Sequence, residues 1–189
     1  MSRVYLIRHA RPSAGWGGAD DDPGLDVTGE AQAKAACEKL IGLPEALRPT
    51  RVVSSPLRRC QETARPFADA IGAHIEIDPL VGEIPTPRGL APAARGPWLR
   101  QAFIGRWADI EGDLDYEVWR RSVATAVASR PGAAVFSHFV AINAVLTSLA
   151  GEPQVITLRP DHASISVFDL TNGALTLVER GPEATTGVL

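Results

Sequence analysis

Lysine is almost missing from this chain of 189 residues: of 19 basic side chains only Lys34 and Lys39 are lysine, and the other 17 are arginine. Planar guanidinium groups suit phosphate recognition, but the bias reads first as base composition of the gene and carries little weight alone. Cysteine is scarce as well, which excludes a disulfide framework. Cys37 and Cys60 both fall in apolar-periodic, helical-looking stretches, where a thiol behaves as a small buried hydrophobe. No apolar run approaches the roughly 20 residues of a membrane helix. The opening Met1-Ser2-Arg3-Val4-Tyr5 reads as a strand and not as a signal peptide, so a cytoplasmic protein is expected. A net charge of −3 argues against a broad basic surface for nucleic acid or anionic membrane and leaves a small anionic ligand compatible.

What is present fits a soluble globular chain, 45% hydrophobic and 22% charged. The length suits one domain over 1–189. Short β-rich runs at Val4–Ile7, Arg51–Ser54, His74–Ile77 and Ala133–Ser137 alternate with helical patterns near 28–41, 98–108, 115–130 and 139–150. Ser55-Pro56 marks a further helix start, with a possible break at Pro66 before Ile71. Asn172-Gly173 sits between two strand-like runs as a hairpin turn, and the end, Glu183 to Leu189, is expected to fray. This order predicts a three-layer α/β/α fold with a mostly parallel sheet, helices on both faces and an antiparallel edge strand. The loop 11–25, with Trp16 inside, is long enough to cover a pocket. The proline-rich region at about 79–112 is expected to be a substrate-specificity insertion.

Three segments place a His or Arg directly after a predicted strand: Arg8-His9-Ala10, Ser55-Pro56-Leu57-Arg58-Arg59, and Ser137-His138-Phe139. If these strands are neighbours, Arg8, His9, Arg58 and His138 converge at one crevice, and two arginines with two histidines suit a phosphate group. Arg59 is expected to be an exposed residue of the first helical turn, and His74 a structural histidine. A metal site on His9, His138 and His162 is disfavoured because Arg8 and Arg58 would repel the cation.

With these segments in order, the sequence resembles the histidine phosphatase superfamily, in its phosphoglycerate-mutase-like branch. Arg8-His9-Ala10 is similar to Arg-His-Gly. Ser55 to Ala64 resembles Ser-Pro-Leu-x-Arg-x-x-Gln-Thr-Ala, with Glu62 read as an extra residue, and Ser137-His138 resembles Ser-His-Gly. The resemblance implies a phosphoglycerate-mutase-like fold and a metal-independent phosphatase, without cofactor, that hydrolyses a small phosphorylated substrate through a phosphohistidine on His9. It further implies a carboxylic acid after the third strand, for which Glu83 is the candidate, with Asp78 and Glu76 behind it. Arg11 and His162 are candidate substrate contacts. Alternatives are a phosphohistidine-protein phosphatase and a non-catalytic phosphate-binding module. A glycolytic mutase is disfavoured because Arg11-Pro12-Ser13 lacks the Glu-Ser/Thr expected there. Ala10 and Phe139 stand where the family has glycine, and Phe139 either narrows the site or packs beneath it.

Overall fold

The computed structural model describes residues 2–15 and 20–185, so Trp16 and residues 186–189 of the expected frayed end lie outside the described residues. A six-stranded sheet, ordered β3-β2-β4-β1-β5-β6, forms the middle layer. Its strands are β1 (Ser2–Arg8), β2 (Arg51–Ser54), β3 (Ile75–Ile77), β4 (Ala133–Ser137), β5 (Ile165–Thr171) and β6 (Ala174–Glu179). The strands β3, β2, β4 and β1 run parallel, and β5 and β6 add antiparallel pairs at one side. Asn172 and Gly173 make the β5–β6 turn with φ of 53° and 79°, the left-handed pair that a tight hairpin needs.

Both faces of the sheet are buried because successive side chains of β1 and β4 alternate between two apolar clusters. Val4, Leu6, Ala133 and Val135 pack with Tyr116, Val123 and Val127 of α4 (Tyr116–Ala128) and Val140, Ala144 and Val145 of α5 (Phe139–Ala150). Tyr5, Ile7, Ala134 and Phe136 pack on the other side with Leu40 of α1 (Val27–Ile41) and Cys60, Ala64 and Phe67 of α2 (Arg58–Ile71). Helices thus cover both faces of a mostly parallel sheet, the expected three layers.

Some boundaries differ from expectation. The helix expected at Ser55-Pro56 begins at Arg58, because the Ser55 hydroxyl accepts from the Leu57 amide and meets His138 instead of capping. Pro66 does not break α2, whose buried stripe of Cys60, Ala64, Phe67 and Ala68 holds both halves on one axis. Within the proline-rich region, α3 (Pro92–Ile104) starts earlier than expected, with Pro92 at its first position, where the missing N–H costs nothing.

Asn143 of α5 is fully buried and uses its whole amide on backbone. Its Nδ2 donates to the carbonyls of Phe139 and Leu158, and its Oδ1 accepts from the amides of Thr157 and Leu158, all at 2.9–3.0 Å. The 157–160 segment is tied to α5 by these bonds. Asn143→Ala leaves buried backbone groups without partners and is expected to lower the unfolding free energy by about 2–4 kcal/mol, measured by urea denaturation; an unchanged midpoint would show that the segment holds itself.

Candidate active site

The parallel order β2-β4-β1 brings three strand ends side by side, the position where open α/β sheets bind ligands. Arg8 ends β1 and His9 follows it; Ser137 ends β4 and His138 follows; Ser54 ends β2 and Ser55 follows. The backbone locks these ends together, with the His9 amide donating to Ser137 O at 2.9 Å and the Ser55 amide to Phe136 O at 3.0 Å. Ala10 is buried among Ala33, Ala36 and Ala163, and its amide donates to Thr63 Oγ1 at 2.9 Å, which joins the loop after β1 to α2.

His9 Nδ1 lies 2.8 Å from the carbonyl oxygen of Ala10. A carbonyl only accepts, so Nδ1 carries the proton and the neutral ring keeps its lone pair on Nε2. Burial holds the His9 imidazole well below its ordinary pKa, and the charges of Arg8 and Arg59 add to the effect. The ring centroid of His138 stands 5.3 Å from that of His9. His138 Nε2 is 2.7 Å from Ser55 Oγ, and its Nδ1 is 3.5 Å from the Arg59 guanidinium, which can only donate. His138 is fully buried and likewise held well below its usual pKa by desolvation and then by Arg59 and Arg8, so it is a neutral wall behind His9 and not a third cation.

The arginines require a correction. Arg58 points outward, with its side chain 62% exposed and paired to Glu62 at 2.6 Å, whereas the Arg59 side chain is 8% exposed and lines the cavity with Arg8 and His9. Adjacent helical residues point about 100° apart, and Arg59 is in phase with buried Thr63 and Phe67 while Arg58 is in phase with Glu62. Two signals for this were present in the sequence: that helical phase, and the Ser-Pro-Leu-x-Arg pattern read without a gap, which puts its arginine at 59 and Glu62 in place of its glutamine.

The cavity, about 340 Å³, is lined by Arg8, His9, Arg59, Arg11, Arg95 and His162, among others. His162 brings its ring to 5.8 Å from His9, and burial with Arg8 nearby lowers its pKa to about 4. Arg11 reaches the cavity while its guanidinium is engaged by Asp26 at 2.6 Å and Thr28 at 2.9 Å. Arg95, on α3, was not among the expected site residues; nothing local in its sequence marks it, because only the packing of α3 over the strand ends brings it in. Phe139 packs beneath the site, stacked on Phe103 at 5.3 Å with the Arg8 guanidinium 5.2 Å from its ring centre. His74 is exposed and does not line the cavity. Among the described residues, no group of three or more His, Cys, Asp or Glu side chains is placed to hold a metal ion.

Glu83 turns inward. Its side chain is 3% exposed, Oε1 accepts from the Ile84 amide at 2.9 Å, and Oε2 lies 4.0 Å from His138 Nδ1 without a hydrogen bond to the described residues. Desolvation raises its pKa, and the Ile84 amide, Arg59 and Arg8 pull the other way. Asp78 and Glu76 are committed elsewhere, to Arg130 at 2.7 Å and to Arg51 at 2.9 Å.

Residues 4–181 match the model of the histidine phosphatase superfamily, branch 1, and the chain belongs to that family. It is 28% identical over 200 residues to a 2,3-bisphosphoglycerate-dependent phosphoglycerate mutase of Thermoplasma acidophilum, covering 95% of this chain and 96% of that one. A protein of Enterobacter sp. named "Probable phosphoglycerate mutase GpmB" is 37% identical over 90 residues, 44% of this chain and 39% of its own length. Among solved structures, the mycobacterial glucosyl-3-phosphoglycerate phosphatase shares the fold, with a TM-score of 0.70 at 21% identity over 97% of this chain and 100% of that one.

The lowered imidazole values set a sign for stability against pH. His9, His138 and His162 have folded values below the unfolded 6.5, so the unfolded chain binds more protons as the pH falls below 6.5. Their contribution is present above pH 6.5 and is lost as the pH falls toward the folded values, that of His162 being about 4. Glu83, with its raised value, opposes them, contributing stability below its unfolded value that is lost as the pH rises through the folded one. Three groups against one predict a urea midpoint that falls between about pH 6.5 and pH 4, and a shallower fall in His162→Gln; identical slopes in the two proteins would contradict the His162 assignment.

Proposed function

We propose that the protein is a phosphomonoesterase acting on a small-molecule substrate through a phosphohistidine on His9. The observation that carries this reading is the Ala10 carbonyl at 2.8 Å from His9 Nδ1, which leaves Nε2 as a free nucleophile among guanidinium groups. Nε2 attacks phosphorus; the N–P bond forms as the ester P–O bond breaks, and the leaving oxygen takes the proton held by Glu83. Water then attacks phosphorus, passing a proton to the Glu83 carboxylate, and the N–P electron pair returns to Nε2. Phosphate leaves and both side chains are restored. Arg8 and Arg59 hold the phosphoryl oxygens and the charge that develops on them, the task a metal ion performs in other phosphatases. The raised pKa of Glu83 supports the acid role, because a carboxyl must still carry its proton near neutral pH to donate it.

The names of the sequence relatives favour a second reading, phosphoglycerate mutase. Arg11-Pro12-Ser13, with Arg11 held by Asp26 and Thr28, stands against it. Incubation with 3-phosphoglycerate separates the two by whether phosphate or the isomeric ester accumulates.

Phosphate release from p-nitrophenyl phosphate and a panel of metabolite phosphomonoesters is the direct test. Turnover is expected to survive EDTA and to fall by at least about 10³-fold in His9→Ala; activity that persists in that variant would sink the mechanism. Glu83→Gln is expected to slow alkyl phosphates by about 10²–10⁴-fold and p-nitrophenyl phosphate far less, since nitrophenolate leaves without a proton. Equal effects on both esters would remove Glu83 as the acid.

The corrected arginine assignment has its own test. Arg59→Ala is expected to lower kcat/KM by about 10²–10³-fold, while Arg58→Ala leaves kcat within about threefold. The reverse ranking in steady-state kinetics would restore Arg58 to the site.

A further inference from the structure

Arg58 and Glu62 stand outside the cavity, yet they hold the chain segment that forms one of its walls. Glu62 Oε2 accepts from the Leu25 amide at 2.7 Å, and Glu62 Oε1 is 2.6 Å from Arg58 Nε. The backbone amide of Arg58 opens α2 and has no partner inside the helix. It donates to both carboxylate oxygens of Asp22, at 2.9 and 3.1 Å. Asp22 also faces the Arg59 guanidinium at 3.8 Å. Between these ties the chain passes so close that a Cβ on Gly24 would stand 2.7 Å from Glu62 Oε2 and 2.9 Å from the Arg58 guanidinium carbon.

The segment fixed in this way supplies Asp20, Asp21 and Pro23 to the lining of the same cavity that Arg8, His9 and Arg59 line. A phosphoryl group at His9 would meet Arg8 and Arg59, and the rest of the ester shares the cavity with this wall. We propose that the Arg58–Glu62 pair is a specificity-determining clamp: it positions the 20–25 wall against the leaving group and does not touch the phosphoryl group. The proposal rests on the phosphomonoesterase reading for its substrate. An exposed ion pair four residues apart on a helix adds little to overall stability. The charged acceptor on the Leu25 amide is the stronger contact, so the effect belongs to the wall and not to the fold.

Binding of phenylphosphonate and of inorganic phosphate, measured by calorimetry, separates wall from phosphoryl pocket without relying on turnover. Glu62→Ala, and Gly24→Ala by wedging the clamp open, are expected to weaken phenylphosphonate about 5- to 20-fold and phosphate by no more than about twofold. Glu62→Gln keeps an acceptor oxygen for the Leu25 amide and is expected to recover most of that loss. Hydrogen exchange at Leu25 should speed up in Glu62→Ala and stay near wild type in Glu62→Gln. Unchanged phenylphosphonate affinity in Glu62→Ala, or a loss shared equally by phosphate, overturns the clamp. A wild-type protein that binds both ligands but hydrolyses no ester overturns the enzymatic reading alone, and the affinity ratios still decide the clamp. Wild-type protein that binds neither ligand overturns both.

Discussion

The arrangement depends on a guanidinium kept out of water. Arg8 is 3% exposed at the end of β1, donates to the Pro160 carbonyl at 2.9 Å and lies over the Phe139 ring, and burial lowers its pKa to about 10. It therefore stays charged at neutral pH, and a buried charge is costly unless an opposite one approaches. Glu83, the first of the carboxyls acting on it, is itself pushed toward the neutral form. The folded chain thus holds positive potential at the ends of β1, β2 and β4, a setting that favours a bound dianion and keeps neighbouring imidazoles neutral.

The rest of the fold serves that constraint. The two apolar layers clamp the strands so that the ends of β1 and β4 exchange backbone hydrogen bonds, and the positions of Arg8, His9 and His138 are inherited from the sheet register. Asn143 fixes the 157–160 segment whose last carbonyl receives Arg8. The cavity is lined by residues at or after strand ends and at the start of α2, and also by residues within 11–15 and 20–23 and by Arg95 of α3. Membership of the histidine phosphatase superfamily goes with the motif residues at the strand ends.

Legibility in the sequence followed local periodicity. The strands, both layers of helix and the Asn172-Gly173 turn could be read because alternation and turn chemistry are properties of a few consecutive residues. His9 and His138 were legible because each follows a short apolar strand. The choice between Arg58 and Arg59 was legible in principle, from the Arg59, Thr63, Phe67 phase, but an inserted residue in the motif register turned it the wrong way. Ser55 looked like a helix cap because its competing partner, His138, lies far away in the chain.

By itself the sequence determined the layer architecture, the family and the strand-end residues, since these follow from hydrophobic pattern and motif order. Only the tertiary structure decided that His138 stays neutral, that Glu83 turns inward while Asp78 and Glu76 pair elsewhere, and that Arg95 joins the cavity. Each of those outcomes is set by burial and by charges brought together from distant parts of the chain. Desolvation and Coulomb energy depend on distances through space, which spacing along the sequence does not encode.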